Sequence, residues 1–557
     1  MNFKKDDAFL RKIEKVEGSF KSMSNLVKNW EPKLLQHLAN QRSQLNGHKS
    51  QNNIHSMLDH IDAEINQVKN TVSQLQKMPF PDESTSEDQR LELSKLEKKI
   101  LEQDSAMKIL KVSYDFIQDS HLKFCLVFLS IFPKNAVMRK RPLIYWWIGE
   151  GLITTEEKGE EIFEALLKLE LITPYGNGKN PVVSRCRIHP WIRYLLIVIA
   201  KNAKLIDFDC KDIPRFDITN SKRACLVQGD EKFSHENESD DKILRTIFNV
   251  NESYVRFGSK RLANMEKLVV LQLGRWQDSP THHIEVNDET FLKDLRTQKY
   301  LKYLSFRGIS RITAIPDSMV ELINLEILDL KACHNLETLP NDISPLKKLT
   351  HLDVSECYLL ESMPKGLDKL TSLQVLKGFI MGNSKKTPCR IQDLQNSKKL
   401  KRLSIHIGSE AIIQKGDFQK LKDLESVQHL KISWGLTSEK YKGGILEDSF
   451  SFPPYLKKLD LEGFPYEQPP ECLRPSKLEE LKKLYIKGGK LRSLRHGEED
   501  AWNVEILRLN YTKSLNIELE ELRHIFPSLR YVQIIAREEN NGEIKTNIFE
   551  WSHEELE

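Results

Sequence analysis

The chain has 557 residues, which is too long for one hydrophobic core and predicts two to four domains. Hydrophobic residues make up 39% and charged residues 29%, as in a globular protein. The formal net charge of +4 is too small to predict binding to nucleic acid or to an anionic membrane on charge alone. The longest apolar runs are too short to span a bilayer, and the N-terminus lacks the apolar core of a signal peptide.

The first region, residues 1–80, is predicted to be a helical bundle or a coiled coil. Seven apolar residues from Ile54 to Leu75 follow a 4-3-4-3-4-3 spacing, so they share one face of a helix. Residues 81–100 are predicted to form a linker and a lead-in helix, because the stretch PFPDESTSEDQR has the composition of a linker.

The second region, residues 101–202, is predicted to be a winged-helix domain. Short apolar helices are followed by TPYGNGKNPVVSRCRI, a stretch typical of a turn between two short strands. The basic stretch MRKRP precedes a helix in the position of a DNA-recognition helix, and it is interpreted as a solvated helix start. That helix reads LIYWWIGEGLI, and its apolar side chains do not suit base edges, so DNA binding is not expected. Trp146 and Trp147 are predicted to pack in the core.

A connector, residues 203–240, leads to the third region, residues 241–557. There the pattern L-x-x-L-x-L repeats every 24 residues. A proline follows the pattern and recurs with the same spacing, at Pro316, Pro340 and Pro364. This is the pattern of the leucine-rich repeat, in which each unit gives one short strand and a return segment. Stacked units form a solenoid with a concave parallel sheet. The strict copies begin at Leu301, Leu325, Leu349 and Leu373, and looser copies begin at Leu244, Leu268, Leu400, Val427, Leu456, Leu481, Val504 and Leu529.

The predicted fold class is therefore α plus an α/β solenoid, with an N-terminal helical bundle, a winged-helix domain and a C-terminal leucine-rich-repeat horseshoe. Cys333 and Cys357 recur where the repeat turns inward, so both are expected to be buried. The eight cysteines form no C-x-x-C pair, which predicts reduced thiols in a cytoplasmic protein.

The repeats also predict which side chains face the concave sheet. Successive strand residues point to opposite faces, so the leucines point into the solenoid and their neighbours point outward. Tyrosines and a bias towards lysine and arginine in the C-terminal half favour a contact surface for an acidic protein over a merely solvated face. The predicted partner-binding residues are Tyr303, Arg307, Asp329, Lys331, His351, Asp353, Arg402, Lys431, Lys458, Lys483, Tyr485 and Arg508.

The sequence carries no recognisable catalytic or cofactor motif. The stretch GNGKN has the wrong spacing for a phosphate loop, and Asn180 stands where the hydroxyl residue should be. H-E-x-x-H and G-x-S-x-G are absent, and the adjacent His282 and His283 are interpreted as surface histidines rather than a metal site. The sequence therefore predicts a protein that is not an enzyme and holds no metal or cofactor.

The stretch from Leu110 to Ile153 resembles the winged-helix segment of plant coiled-coil nucleotide-binding leucine-rich-repeat (NLR) immune receptors. The repeats, including LQVLKGFIMG, are also similar to this family, and most similar to the branch that works with kinase-like partner proteins. The resemblance covers residues 101–557 and, weakly, the N-terminal helices. The residues that match the family's winged-helix pattern are Ser113, Tyr114, Leu122, Lys123, Cys125, Phe132, Pro133, Leu143, Ile144, Trp147, Ile148, Glu150 and Gly151.

The chain departs from the family pattern in three places. The nucleotide-binding module is missing, because the linker leads almost directly into the winged-helix region. The family's MHD motif appears as Ile188, His189 and Pro190, so only the histidine remains, and a structural role at a helix start is favoured for it. The family's EDVID motif corresponds to LDHID, where Asp59 and Asp62 match. The resemblance implies that these two aspartates clamp the N-terminal helices to the repeats, although a solvated acidic face is an equal alternative.

The resemblance implies a role in plant defence through recognition of a protein, without a nucleotide switch and without bound ADP or ATP. The expected partner is a pathogen effector, a host kinase-like protein or a full-length immune receptor, and no nucleic acid. The expected location is the cytoplasm, either free or peripheral at the plasma membrane. The alternative is a leucine-rich-repeat substrate adaptor of a ubiquitin ligase, which would need an F-box-like N-terminus.

Overall fold

A computed structural model describes residues 117–552 together with Lys111, Tyr114 and Asp115. Within that range it leaves out residues 177, 210, 216–220, 229–242, 257–260, 278–283, 288, 382–388, 409–410, 412, 415, 436–449, 496–500, 513–514, 516–518 and 541–542. The predicted helical bundle, the linker and the proposed clamp residues Asp59 and Asp62 lie outside the described residues, as do His282 and His283.

The second region forms a helical body with a small three-stranded antiparallel sheet in the order β1-β3-β2. Asp119 and Thr155 cap two of the helices, since their side chains accept hydrogen bonds from backbone N–H groups of the first turn. The core includes Trp147, which is fully buried. The elements are α1 (Ser120–Phe128), β1 (Met138–Arg139), α2 (Lys140–Gly149), α3 (Glu156–Lys168), β2 (Ile172–Pro174), β3 (Arg185–Ile188) and α4 (Pro190–Asn202).

This arrangement confirms the winged-helix prediction, with the stretch GNGKN in the turn between β2 and β3. Helix α2 is buried along its apolar length, so it is not presented to a DNA groove. One detail differs from the prediction. Lys140, in the basic stretch, is buried rather than solvated, because its ammonium group pairs with Glu160 at 2.7 Å and Glu164 at 3.0 Å on α3.

The third region is a solenoid whose inner wall is a 14-stranded sheet. Neighbouring strands are parallel from β4 to β18, and the last strand, β19, returns antiparallel to β18. The strands are β4 (Arg223–Leu226), β5 (Thr246–Asn249), β7 (Val270–Gln272), β9 (Tyr303–Ser305), β10 (Ile327–Asp329), β11 (His351–Asp353), β12 (Val375–Met381), β13 (Arg402–Ile407), β14 (His429–Trp434), β15 (Lys458–Glu462), β16 (Lys483–Lys487), β17 (Ile506–Asn510), β18 (Tyr531–Asn540) and β19 (Glu543–Ser552).

Short helical turns connect many of the strands on the outer side of the solenoid. Strands β6 (Tyr254–Val255) and β8 (Glu285–Val286) pair separately from the large sheet. The helical segments are α5 (Arg261–Asn264), α6 (Phe291–Asp294), α7 (Leu519–Ile525) and 3₁₀ turns that include Asp317–Glu321, Leu367–Lys369, Ile391–Leu394, Phe418–Asp423 and Glu471–Leu473.

The 24-residue step fixes the register of the sheet. Tyr303, Ile327, His351 and Val375 are aligned side by side on successive strands. Each looser copy also forms a strand, which begins two residues after the predicted start. The sheet starts earlier than predicted, however, since β4 lies within the segment expected to be a connector. Its sequence, RACL, lacks the leucine pattern, although Ala224 and Leu226 fill the same core.

The recurring cysteines satisfy backbone groups inside the solenoid. The thiols of Cys333 and Cys357 donate hydrogen bonds to the carbonyl oxygens of Phe306 and Leu330, at 3.2 Å and 3.1 Å. Both cysteines are buried, as predicted, and burial raises the pKa of the Cys357 thiol to about 12. A thiol with so high a pKa is almost never ionised, so these residues serve packing rather than reactivity.

Candidate functional site

The winged-helix domain sits on the concave face of the repeats and shares an apolar core with them. The ring of Trp146 on α2 lies 4.6 Å from that of Phe248 on β5, measured between centroids. Gly149 allows α2 to approach the sheet, because a Cβ atom there would lie 2.5 Å from the Cβ of Tyr303. Glycine thus meets a steric requirement at this contact.

A buried carboxylate fixes α2 to the beginning of the sheet. The side chain of Glu150, 2% exposed, accepts hydrogen bonds from Arg223 Nε at 3.0 Å and Thr246 Oγ1 at 2.8 Å. It also accepts one from the indole N–H of Trp146 at 3.3 Å. With three donors the carboxylate is fully satisfied, so its burial is compatible with a stable fold.

A second carboxylate, Glu156 in the first turn of α3, fixes the domain to the middle of the sheet. Its Oε1 accepts a hydrogen bond from His351 Nε2 at 2.7 Å, and its Oε2 pairs with Arg402. Arg141 adds a longer contact of 3.5 Å to Oε2. Burial alone raises the pKa of Glu156, but the His351 hydrogen bond and the Arg402 charge outweigh it and hold the pKa well below its usual range.

His351 is almost fully buried between the sheet and α2. Burial lowers its pKa and outweighs the opposing effect of Glu156. His351 Nε2 lies 2.7 Å from Glu156 Oε1 and Nδ1 lies 2.7 Å from Thr350 Oγ1, while the Thr350 hydroxyl donates its proton to the carbonyl oxygen of Glu326 at 2.8 Å. Tyr145 on α2 covers the imidazole, with 4.5 Å between ring centroids. A cavity of about 310 Å³ lies beside this contact and is lined by Glu157 and Lys401, which pair with each other, among other residues.

Other charged residues of the sheet pair with each other. Arg307 Nε lies 2.8 Å from Asp329 Oδ2, and Lys377 Nζ lies 3.0 Å from Asp353 Oδ2. Burial raises the pKa of Asp353, but the charges of Lys377 and Arg307 outweigh it and lower the pKa to about 2. These are buried ion pairs between neighbouring strands, so their charges are neutralised within the molecule.

Five of the predicted partner-binding residues are only 4–8% exposed, so in this arrangement they offer little surface to a partner. They lie beneath the winged-helix domain or in ion pairs within the sheet. Strand alternation predicts which face a side chain occupies, but not which other part of the chain covers that face. The five are Tyr303, Arg307, Asp329, His351 and Asp353.

The other predicted residues fall into three environments. Arg402 holds Glu156. Lys331 and Lys431 pair with Glu356 at 3.0 Å and with Glu462 at 2.7 Å. The last group faces the start of α2 on strands β15 to β17 and consists of Lys458, Lys483, Tyr485 and Arg508. Whether any of these residues contacts a partner stays a prediction.

One surface includes an aromatic pair, His334 and Tyr358, that the sequence reasoning missed, near charged residues of strands β14 to β16. We call it the rim surface and define it as His334, Tyr358, Lys431, Glu462 and Lys487. The Tyr358 ring is stacked on His334 with 5.3 Å between centroids, yet Tyr358 is 72% exposed. His334 and Tyr358 occupy equivalent positions 24 residues apart, directly after the buried cysteines. This 24-residue recurrence is the feature of the sequence that could have identified the aromatic pair.

Within the described part of the chain, no three His, Cys, Asp or Glu side chains form a group that could hold a metal ion. No helix of the described segments is long and apolar enough to cross a membrane. The contacts above join one domain to another and satisfy buried polar groups. They define a winged-helix protein whose leucine-rich-repeat solenoid is partly filled by its own helical domain.

Comparison with known proteins supports both parts of this description. A model of the disease resistance protein winged-helix domain matches residues 131–196, and a model of a leucine-rich repeat region matches residues 245–497. Disease resistance RPP13-like protein 4 of Arabidopsis thaliana is 28% identical over 446 residues, which cover 77% of this chain and 50% of that protein. Disease resistance protein RGA4 of Oryza sativa subsp. japonica is 24% identical over 231 residues, 40% of this chain and 22% of that protein.

The chain is thus similar to plant NLR disease-resistance proteins in both of these domains, which confirms the resemblance. It spans half the length of the first of these relatives and less than a quarter of the second.

Proposed function

We propose that the protein acts in plant disease resistance by binding another protein, either a pathogen effector or a host kinase-like protein. The similarity to disease resistance proteins in both domains supports the disease-resistance role. The solenoid supports recognition by contact rather than catalysis, because it offers an extended surface.

The rim surface is the observation that carries the proposal. An exposed tyrosine held by stacking loses little conformational entropy on binding, which makes it suitable as an anchor. Lys431 and Lys487 lie 2.7 Å and 2.5 Å from the shared carboxylate of Glu462, and all three charges act on Tyr358, so polar groups lie near the aromatic pair. An apolar anchor with a polar periphery is the usual composition of a protein–protein contact.

We do not expect the described part of the chain to bind a nucleotide. The GNGKN stretch is a hairpin turn in which Gly178 has a φ of 77°, and the Lys179 ammonium group lies 3.4 Å from the carbonyl oxygen of Glu550. His189 precedes α4, and burial lowers its pKa. These environments support structural roles for both motifs rather than contacts with phosphate or adenine.

The test uses the full chain as bait in plant extract and with purified candidate effectors and kinase-like proteins. Tyr358→Ala combined with Lys487→Glu should weaken capture of the specific partner by roughly tenfold or more, as expected for a hot-spot anchor. Tyr300→Ala is the matched control, because Tyr300 is 62% exposed but lies outside the rim surface. Equal loss with the control, or full binding by the double variant, would reject the rim surface as the contact site.

A further inference from the structure

Four cationic side chains converge between the start of α2 and strands β15 to β17, in a space we call the basic cleft: Arg141, Lys458, Lys483 and Arg508. Lys458 Nζ and the Arg508 guanidinium carbon lie 4.1 Å and 4.9 Å from the ring centre of Tyr485. Lys483 is two residues before Tyr485 on the same strand and therefore on the same face. Arg141 reaches the cleft from the winged-helix domain and repels Lys458 and Lys483.

The basic cleft contains little negative charge. Asp460 lies 3.8 Å from Lys458, and Glu156 lies 3.5 Å from Arg141 but is already held by two other residues. Glu505 attracts Lys483 from beyond 4 Å and is itself paired with Lys482 and Arg530. Among the described residues, no carboxylate oxygen lies within 4 Å of the side-chain nitrogens of Lys483 or Arg508. Arg141 Nη1 and Arg508 Nε are shielded from solvent and have no hydrogen-bond partner in that part of the chain.

Repulsion among these cations adds to burial in lowering the pKa of Lys458 and Lys483. Burial, with repulsion from Arg508 and Arg141, lowers the pKa of Lys458 to about 8. Burial and the Arg141 charge also lower the pKa of Lys483. Cations gathered on two separate parts of the fold destabilise each other unless an anion lies between them.

We propose that the basic cleft binds a small ligand carrying two or more phosphate groups. Linked phosphates bring several negative charges and many acceptor oxygens into a small volume, which matches two guanidinium and two ammonium groups. A lone carboxylate would compensate only one of the four charges. The Lys458 side chain is only 28% exposed, which favours a small molecule over a protein segment. The proposal does not depend on the rim surface.

Isothermal titration of the full chain with inorganic tripolyphosphate at physiological salt tests the proposal. Tripolyphosphate should bind at least about tenfold more tightly than orthophosphate or sulfate, because it can contact several cations at once. Lys483→Gln should weaken binding by about tenfold, as expected for the loss of one charge-assisted contact. Lys482→Gln is the matched control, since Lys482 is more exposed and pairs with Glu505 at 3.3 Å. It should leave affinity within about twofold.

A second measurement separates this site from general attraction to a cationic surface. An anion next to Lys458 restores its ordinary pKa, so binding near pH 8.5 should take up protons. The uptake is measured by titration in buffers of different ionisation enthalpy, and Lys458→Gln should abolish most of it. No binding at millimolar tripolyphosphate, equal affinity for all three anions, or equal effects of Lys482→Gln and Lys483→Gln would overturn the proposal. A peptide rich in acidic residues that binds more tightly than tripolyphosphate would do so as well.

Discussion

Glu156 is the residue on which the contact between the two domains depends most. One carboxylate receives the His351 hydrogen bond and the charges of Arg402 and Arg141, and its side chain is only 9% exposed. If the negative charge is removed, two arginines remain close together without compensation. The cost of such a loss is larger than the net contribution of the intact pair, because the remaining charges are partly desolvated.

We therefore expect Glu156→Gln to lower the free energy of unfolding by about 3 kcal/mol. Glu161→Gln removes the same charge from the same helix at a side chain that is 68% exposed, and it should change stability by less than about 0.5 kcal/mol. Urea unfolding followed by tryptophan fluorescence measures both values. Similar midpoints for the two variants would show that Glu156 does not secure the docked domain.

Helix α2 illustrates how far sequence reasoning extends at the level of an element. Its apolar sequence predicts burial and excludes DNA contact, and both agree with the structure. The sequence does not indicate that α2 packs against the repeats, because local periodicity carries no information on contacts between residues far apart in the sequence. Trp146 and Phe248 are 102 positions apart in the sequence, yet their rings touch.

Because α2 lies close to the sheet, we expect a Gly-to-Ala substitution in this helix to change stability in the direction opposite to that expected from helix propensity. Alanine is normally about 1 kcal/mol better than glycine in a helix. Gly149→Ala should nevertheless lower stability by about 1–3 kcal/mol, since the new methyl group would overlap Tyr303. Gly408→Ala serves as the control, because a Cβ there would meet only an ordinary contact of 3.5 Å. Thermal unfolding distinguishes the two, and a rise in Tm for Gly149→Ala would refute the tight packing.

For the whole molecule, acid should weaken the fold in a predictable pH window. Burial lowers the pKa of His351 below its usual value and that of His429 to about 3. Below about pH 6.5 the unfolded chain therefore binds protons that the folded chain does not, and the free energy of unfolding falls with pH. Glu156 has a depressed folded pKa, so its contribution is lost only below about pH 4.5.

Urea unfolding at pH 7, 6 and 5 tests this expectation. The unfolding free energy of the wild type should decrease over that range, and His351→Gln should decrease less, because glutamine still donates a hydrogen bond but does not titrate. Replacing His524, an exposed histidine, in the same way provides the control. Parallel curves for the wild type and His351→Gln would contradict a lowered pKa for the buried His351.

The repeat architecture was predictable as a whole because many positions recur together, and the strands lie where the leucine pattern places them. The environment of each side chain on the concave face could not be predicted in the same way. Tyr303 and Lys483 have equivalent positions in their repeats, but Tyr303 is covered by α2 and Lys483 lies in the basic cleft. The difference arises from where the winged-helix domain sits, and nothing within a single repeat encodes that position.

The docked domain touches the sheet near both of its ends. Glu150 holds β4 and β5, while the hairpin lysine Lys179 reaches the backbone of β19. Each additional parallel strand would move the far end of the sheet by about 4.8 Å. The two contacts therefore restrict the number of repeats, because a solenoid with one repeat more or fewer could not make both of them. Gain or loss of whole repeats, the easiest change for a repetitive gene, is constrained here by a single non-repetitive domain.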